Sequence, residues 1–486
     1  MALLKVYIRE FEKSRIIPAR VQIWNEKGKY FYPDGCIPYE KDNHFITNGS
    51  FEIQMPSGKT YISVEKGKEY FPIEGELNIQ KGQDYHVDCE LHRWINMAEL
   101  GWYSGDIHIH RQISEMENLM LAEDLNIAPN ITVWNNWKYS NDDIRIVPKD
   151  RIVRIDKTHQ FSIFTQEDER KGGAVIMLNL DSPIEFDFVS DWHPAGFEYC
   201  RIAHENGFLV DQEKPFWWEA PVNVALGGVD TIGIINNHIQ RQSVMDNEAW
   251  GRPRDKDKYP GYKGFVDNVL DLYYHYLNLG FRIPISAGSA SGVLSNPVGF
   301  NRLYVHLGED FSYKNWFLGM KAGRSFATNG PMLFFNIDGK EQGNFLLSLN
   351  GKPLQSKISI NAESINPLEN IQIVYNGEVI REFSTNGAKK FSYEFDVELS
   401  ESGWIIARAF EKSDKTIKFA HTSPIYVQIG QNKICRKESA LFYANWCKEL
   451  LAMSSADKER YATIIQREEV ESLYRLAITF YENLAG

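Results

Sequence analysis

Polar residues alternate with isoleucines in the short run Asp106-Ile107-His108-Ile109-His110. Residues two apart on a β-strand point to the same face, so Asp106, His108 and His110 share one face. Ile107 and Ile109 share the other face and can pack against an apolar core. Two imidazoles on one strand face can converge on one divalent ion. Histidine is also common as a structural residue, and short motifs give false positives, so metal binding and packing both stay open at this point.

The patterning along the 486 residues changes three times, which predicts four parts. Residues 1–97 contain short strand-like runs between turn signals and predict a β-sandwich. Residues 98–333 alternate apolar runs with helical stretches and predict βα units. Residues 334–430 return to strand patterning, which predicts a second β-sandwich, and residues 431–486 read as helical. The predicted fold class is multidomain, α/β plus all-β.

Charge and composition exclude several classes of protein. A net charge of −12 and a pI of about 5.6 disfavour nucleic acid and anionic membranes as partners. No apolar stretch is long enough for a membrane span. Five scattered cysteines without C-x-x-C spacing indicate neither a zinc ribbon nor a disulfide framework. The first residues lack a signal-peptide core, so we expect a cytoplasmic chain or an exported one whose signal has been removed. Oligomeric state stays open.

Gly101–His110 resembles the first metal motif of the PHP (polymerase and histidinol phosphatase) superfamily. More narrowly, residues 18–430 resemble the CehA/McbA group of PHP-type metallohydrolases. The other segments that carry this resemblance are Leu279–Pro284 leading into Ala287–Ser289, Ala322–Pro331, Ser402–Arg408 and His421–Pro424. The resemblance implies a distorted β/α barrel, here flanked by the two sandwiches. It also implies a divalent metal at the C-terminal strand ends and hydrolytic chemistry, which agrees with where barrels build their sites.

Several metal-ligand motifs of that family are altered in this chain. The strand end expected to carry Thr-Asp-His reads Thr132–Asn136. The family's Glu followed by Gly-His appears as Glu167 and then Gly172-Gly173-Ala174. The Ala-His-Pro motif reads Asp211–Pro215, and the late Ser-Asp-x-His pair reads Ser289–Gly292. A cluster of two or three metals is therefore not expected.

One divalent ion is expected instead, zinc first, with manganese and iron as alternatives. His238 follows the predicted strand Thr231–Ile235 and is expected at the same rim as His108 and His110. These three histidines with Glu167 would form a four-ligand site. The three histidines alone would leave a position for water, as in catalytic zinc sites. Asp106 is predicted to orient a ligand imidazole through its second nitrogen.

Asp211, Glu213 and Lys214 replace a ligand motif and are predicted to act in catalysis. A carboxylate there can serve as general base, and the lysine can neutralise developing negative charge. A structural ion pair is the alternative.

Three further residues are predicted to bind substrate. Trp217 and Trp218 can form an aromatic platform, with core packing as the alternative. Arg302 can face an anionic substrate group, with a buried salt bridge as the alternative.

The leading predicted function is metal-dependent hydrolysis of a small organic ester, amide, carbamate or phosphoester by metal-activated water. Two alternatives are kept. The aromatic content of 13% and the accessory sandwiches suit a carbohydrate-active enzyme with a carbohydrate substrate. The altered ligand motifs suit a degenerate PHP domain that binds a ligand without turnover.

Overall fold

The computed structural model describes residues 1–134, 149–457 and 459–486. Within them the protein is mostly β, with several sheets and two long helices at the C-terminal end. The altered motif positions Asn135 and Asn136 lie outside the described residues.

Two sheets around one apolar core form the N-terminal region. Their order is β5-β1-β8 and β3-β4-β2-β6-β7. The strands are β1 (Ala2–Glu10), β2 (Ala19–Asn25), β3 (Ile37–Tyr39), β4 (His44–Thr47), β5 (Ser50–Met55), β6 (Gly58–Glu65), β7 (Ile73–Ile79) and β8 (Tyr85–Leu91), with a 3-10 turn at Glu40–Asp42. Every second residue of β1 is buried, so Leu4, Val6 and Ile8 point into the core between the sheets.

Helices and strands alternate in the central region, as the sequence predicts. The elements are β9 (Trp102–Gly105), α1 (Ile113–Glu123), β10 (Ile127–Pro129), β11 (Val133–Trp134), β12 (Ile152–Arg154), β13 (Gln160–Ser162), β14 (Gln166–Arg170), β15 (Gly173–Leu178), α2 (Gly196–Glu205), β16 (Leu209–Gln212), α3 (Ala220–Ala225), β17 (Thr231–Ile235), α4 (Gly261–Leu277), β18 (Ile285–Ala287), β19 (Arg302–His306), α5 (Tyr313–Lys321) and β20 (Ser325–Thr328). Six of the strands form a sheet in the order β11-β14-β15-β16-β17-β18, in which β16, β17 and β18 run parallel.

The named strands of the described ranges do not close into a barrel. Backbone hydrogen bonds nevertheless join the segment Ile107–His110 to both edges of the six-stranded sheet. On the β18 side, the Ile107 amide donates to the carbonyl of Ala287 (3.3 Å), and the His110 amide donates to that of Ser291 (2.8 Å). On the β11 side, the Ile131 amide donates to the carbonyl of Ile109 (2.7 Å). The histidine segment is therefore held between the two edges.

The strand predicted through His110 ends earlier, at Gly105. The carboxylate of Asp106 accepts a hydrogen bond from the amide of His108 (3.1 Å), and this local side-chain bond competes with the strand ladder. Ile107 and Ile109 are still buried in apolar clusters, as predicted.

The second β region shares a sheet with the central region. Its strands are β21 (Met332–Ile337), β22 (Phe345–Ser348), β23 (Leu354–Glu363), β24 (Leu368–Tyr375), β25 (Glu378–Ser384), β26 (Lys390–Leu399), β27 (Gly403–Glu411), β28 (Lys418–Thr422) and β29 (Ile425–Ile429). A twelve-stranded sheet runs from β9, β19 and β20 into β28, β27 and β24, while β21, β23 and β26 form a separate sheet. The large sheet crosses the boundary predicted at residue 333, because β20 pairs with β28.

Two helices end the chain, as predicted for the C-terminal segment: α6 (Lys437–Ala456) and α7 (Ile464–Ala485). Both pack on the central region. The Trp446 indole donates to the carbonyl of Trp218 (3.1 Å), and the Tyr481 hydroxyl donates to that of Pro221 (2.8 Å). Among the helices in the described part of the chain, none combines the length and apolar character that crossing a membrane requires.

Candidate metal centre

His108, His110 and Glu167 meet at one buried point. Glu167 comes from β14, and the histidines come from the segment that joins the sheet edges. The two Nε2 atoms lie 3.0 Å apart. His110 Nε2 lies 3.2 Å from Glu167 Oε2, and His108 Nε2 lies 3.5 Å from Glu167 Oε1. Three donors that can hold a metal ion thus form a small triangle.

This triangle has the size that one ion requires. Two ligand atoms about 2.1 Å from a tetrahedral ion lie about 3.4 Å from each other, and the observed separations of 3.0 to 3.5 Å bracket that value. Neither oxygen of the buried Glu167 has a well-aligned hydrogen bond to the described residues. A cation would satisfy both oxygens, which are otherwise costly to bury. Two histidines and one glutamate are also the protein ligands of known catalytic zinc sites that keep a position open.

A second carboxylate holds the other side of His108. Glu213 Oε1 lies 3.2 Å from His108 Nδ1. Glu213 is fixed by an ion pair with Lys214 and by the Trp217 indole, which donates to Oε2 at 2.9 Å. Burial acts to raise the pKa of Glu213, but Lys214 and His108 outweigh it and lower the pKa to about 2. A carboxylate on the distal nitrogen is the usual outer partner of a metal-binding histidine.

The charges within the cluster depend on each other. Burial acts to lower the pKa of His108, but Glu167 and Glu213 raise it to about 10. Burial lowers the pKa of His110. Burial acts to raise the pKa of Glu167, but the two imidazoles hold this pKa well below its usual value. A metal at Nε2 of His108 has to displace a proton, so metal affinity at this centre depends on pH.

Asp106 does not orient an imidazole, contrary to the prediction. Its carboxylate accepts backbone hydrogen bonds from His108 (3.1 Å), Ser289 (3.0 Å) and Gly299 (2.8 Å). The side chain turns back to the chain because these amides lie next to it after β9 and β18 end. Asp106 therefore positions the backbone that carries His108, while Glu213 contacts the ring.

Asp211 is not a member of the ligand triangle. Its Oδ1 accepts hydrogen bonds from the hydroxyls of Thr231 (2.6 Å) and Ser286. Burial raises the pKa of Asp211 to about 7. Asp211, Glu213 and His108 line the same small interior cavity, so the predicted shared face of the two carboxylates is present. Because Oδ1 of Asp211 accepts hydrogen bonds from hydroxyls on β17 and β18, Asp211 links β16 to these strands instead of facing substrate.

His238 is not a member of the triangle that the structure forms. Its Nδ1 bonds to the carbonyl of Asn247 (2.9 Å), and its ring stacks on Phe265 with 5.6 Å between centroids. Burial lowers the pKa of His238 to about 3. The prediction placed it correctly after β17. The side chain of Asn236 accepts a hydrogen bond from the backbone amide of His238 (3.1 Å), and the chain turns here. The His238 ring then packs on Phe265.

The three predicted substrate-binding residues have other surroundings. Trp217 is 1% exposed and lies under the Lys214 ammonium, 4.7 Å from it, so it fixes the Glu213–Lys214 pair rather than offering a platform. Trp218 packs edge-on against Trp446 of α6. Arg302 is fully buried, and its guanidinium donates to the carbonyls of Gly299, Glu123 and Asp124 rather than to a carboxylate.

No protein-family model and no curated protein sequence matches this chain. The resemblance to PHP-type metallohydrolases therefore rests on the motifs of the sequence, and the chemistry of the centre rests on its geometry.

Sequence reasoning missed two residues beside the centre. Trp134 packs on His110 with 4.5 Å between ring centroids, and its indole donates to Glu169 Oε2 at 3.0 Å. Burial and the charge of Glu167 raise the pKa of Glu169 to about 8. Both residues line a pocket of about 710 Å3, together with Trp250. The period of two along β14 places Glu169 on the face of Glu167, and this signal could have identified it.

Proposed function

We propose that the protein is a metal-dependent hydrolase of a small organic ester, amide, carbamate or phosphoester, built on a distorted PHP-type β/α barrel. The observation that carries the proposal is the buried triangle of His108, His110 and Glu167, whose separations suit one divalent ion. The backbone bonds from Ile107–His110 to both sheet edges support the barrel interpretation. Zinc is the preferred ion, with manganese and iron as alternatives.

When bound, a divalent ion of this kind acidifies a water ligand and polarises a carbonyl or phosphoryl group. Residues of this chain would hold the ion and fix its ligands in place. His108, His110 and Glu167 supply three donors, which leaves a position open in a four-coordinate site. Glu213 holds His108 through Nδ1, and Lys214 with Trp217 holds Glu213. Glu213 and Lys214 are thus proposed as positioning residues.

The substrate is proposed to bind in the pocket beside the centre. Trp134 lines this pocket and also contacts His110, so the pocket wall touches the ligand triangle. A volume of about 710 Å3 falls in the range of small-molecule sites. Trp134 and Trp250 offer aromatic surface for a flat or apolar group.

Elemental analysis and a substrate panel test the proposal. We expect about one zinc, manganese or iron per chain, and turnover of an ester, amide, carbamate or phosphoester that stops on chelation and returns with metal. The double variant His108→Ala/His110→Ala should lose both metal and turnover. The matched control His86→Ala, at a histidine whose side chain is 60% exposed, should keep them.

The remaining outcomes decide against the proposal. Equal metal content in the wild type and the double variant would show that the triangle is structural. Two metals per chain would contradict the mononuclear site. Bound metal without turnover of any panel member favours the ligand-binding alternative, and turnover of glycosides only favours the carbohydrate-active alternative.

A further inference from the structure

A second pocket, of about 420 Å3, lies where the N-terminal, central and second β regions meet. We name it the junction pocket and define it by Lys68, Phe300, Arg302, Asn329 and Lys418. Lys68 follows β6, Phe300 precedes β19, Arg302 begins β19, Asn329 follows β20 and Lys418 begins β28. We propose that the junction pocket binds a small anion of the phosphate class, bearing two or more negative charges. This inference is independent of the proposed hydrolase.

Lys68 is a cation without a carboxylate partner. Its Nζ donates to the carbonyl of Asn329 at 2.8 Å and lies 4.5 Å from the centroid of the Phe300 ring. No carboxylate oxygen of the described residues lies within 4.0 Å of it. Burial, together with the charges of Arg302 and Lys418, holds the pKa of Lys68 well below its usual value. An anion in the pocket would offset these effects and stabilise the ammonium.

Arg302 adds a second uncompensated charge. Its buried guanidinium donates to the carbonyls of Gly299 (2.6 Å), Glu123 (3.0 Å) and Asp124 (3.4 Å). Within the part of the chain that the structure describes, it forms no ion pair. The carbonyls satisfy its N–H groups but leave its positive charge in the wall of the pocket.

Lys418 is only weakly compensated. The nearest carboxylate, Glu411, lies 3.9 Å from its Nζ. Glu411 is already engaged by the hydroxyl of Ser364 and by the side-chain amide of Asn366 at 3.0 Å. Of these three cations, only Lys418 has a carboxylate oxygen of the described residues within 4.0 Å, at 3.9 Å. The pocket therefore favours an anion.

Four of the other charges of the pocket form ion pairs, and Glu74 and Asp414 offset Lys412 and Lys415, which also line it, in number. Arg20 binds Glu65 (2.8 Å) and Glu123 (3.0 Å), and Arg241 forms an ion pair with Glu65. These ion pairs contain equal numbers of positive and negative charges. They do not cancel the excess positive charge of Lys68, Arg302 and Lys418. Because Arg302 is sealed by carbonyls, the direct contacts to a ligand would come from ammonium groups. Lysine ammonium groups act as point charges and are common phosphate binders.

Titration calorimetry at constant ionic strength tests the inference. Pyrophosphate is the probe, with a sugar phosphate and citrate in parallel. The protein carries His108→Ala/His110→Ala, so that binding at the metal centre is excluded. We expect saturable binding of pyrophosphate, and Lys68→Met and Lys418→Met should each weaken it about 10- to 100-fold. The control Lys81→Met, at an exposed lysine of the N-terminal region, should not change it.

Thermal melts separate binding from folding. Lys68 is half-buried and has no carboxylate of the described residues within 4.0 Å, so Lys68→Met should melt at or above the temperature of the parent protein. Lys418→Met repeats the test at a second lysine, whose side chain is 28% exposed. Binding of the sugar phosphate as well would show that the phosphate group is recognised in an ester; its failure would restrict the ligand to inorganic phosphates. Absence of saturable pyrophosphate binding, equal affinity in the folded Lys68→Met and Lys418→Met variants, or equal binding of citrate would overturn the inference.

Discussion

The imidazole of His108 is held at both nitrogens. Nε2 faces His110 and Glu167, while Nδ1 faces Glu213 at 3.2 Å. Glu213 is in turn held by Lys214 and Trp217. Fixing the ring in this way sets both its orientation and the nitrogen that stays available to a ligand.

Glu213→Gln should weaken metal binding by about 10- to 100-fold, because an amide is a poorer partner for the Nδ1 proton than a carboxylate. Competition with a chelator of known affinity measures the effect. Unchanged affinity in the folded variant would show that the contact with His108 has no role in metal binding.

Asp106→Asn is the matched comparison for that variant. Asp106 accepts three backbone N–H groups, so its replacement should lower the melting temperature of the metal-free protein. Glu213→Gln should affect chelator competition more than the metal-free melt. If Asp106→Asn affected chelator competition more and Glu213→Gln affected the metal-free melt more, Asp106 would be the carboxylate that supports metal binding and Glu213 the one that stabilises the fold.

His108, His110 and Glu167 could be predicted as ligands from sequence, the histidines from their spacing of two residues and Glu167 from the resemblance to a metal motif. The surroundings of His238, Trp218 and Arg302 could not. His238 follows a strand, Trp218 lies in a loop and Arg302 begins β19. The direction of each side chain depends on partners distant in sequence. Phe265, Trp446 and the carbonyl of Glu123 are those partners, and no local pattern reveals them.

At the scale of elements, the centre depends on how closely the chain after β18 approaches the histidine segment. Gly288 follows β18, and a Cβ at this position would lie 2.5 Å from the Cβ of His108. Such a contact cannot be accommodated unless the backbone or the histidine shifts. Glycine therefore permits the approach that brings His108 over the sheet.

Gly288→Ala should reduce metal content because it pushes His108 away from Glu167 and His110. Elemental analysis of the purified variant checks this, with circular dichroism to confirm the fold. The control Gly75→Ala lies in β7 of the N-terminal region, where the added Cβ would meet one methyl group of Ile62 at 3.0 Å, and it should retain the metal. Full metal content in Gly288→Ala would mean that the backbone at the edge of the sheet shifts to accommodate the added methyl group without displacing His108.

Periodicity identified several elements well. The predicted strand Thr231–Ile235 is β17, the apolar run Gly173–Leu178 forms β15, and the apolar residues that repeat with a period of about 3.6 over residues 265–277 lie within α4. Periodicity does not show which strands pair with each other. The pairing of β20 with β28 joins two regions that the sequence separates at residue 333, since strand patterns specify faces but not neighbours.

On the scale of the whole molecule, the apolar cores differ from the predicted division into four parts. One core combines residues of the central region with Trp404 of the second β region and Tyr443 and Tyr474 of the C-terminal helices. The N-terminal region has a core of its own. A smaller apolar cluster, in which Ile46 of β4 packs with Ile109 and Met116, joins it to the central region, as does the ion pair of Arg20 with Glu123. The N-terminal region is therefore expected to unfold as a separate unit.

Calorimetry of the metal-free protein should show more than one transition, and added metal should raise only the transition that contains the central region. A ligand that binds only the folded state stabilises it by about 2.7 kcal/mol at 100 times its Kd, which corresponds to a few degrees for a large unit. The double variant His108→Ala/His110→Ala should show the same transitions without the shift. If metal raised every transition equally, the N-terminal region would be energetically coupled to the centre, through contacts such as those of Arg20 and Arg241. If metal raised none of them, the triangle of His108, His110 and Glu167 would not bind the ion in the folded state.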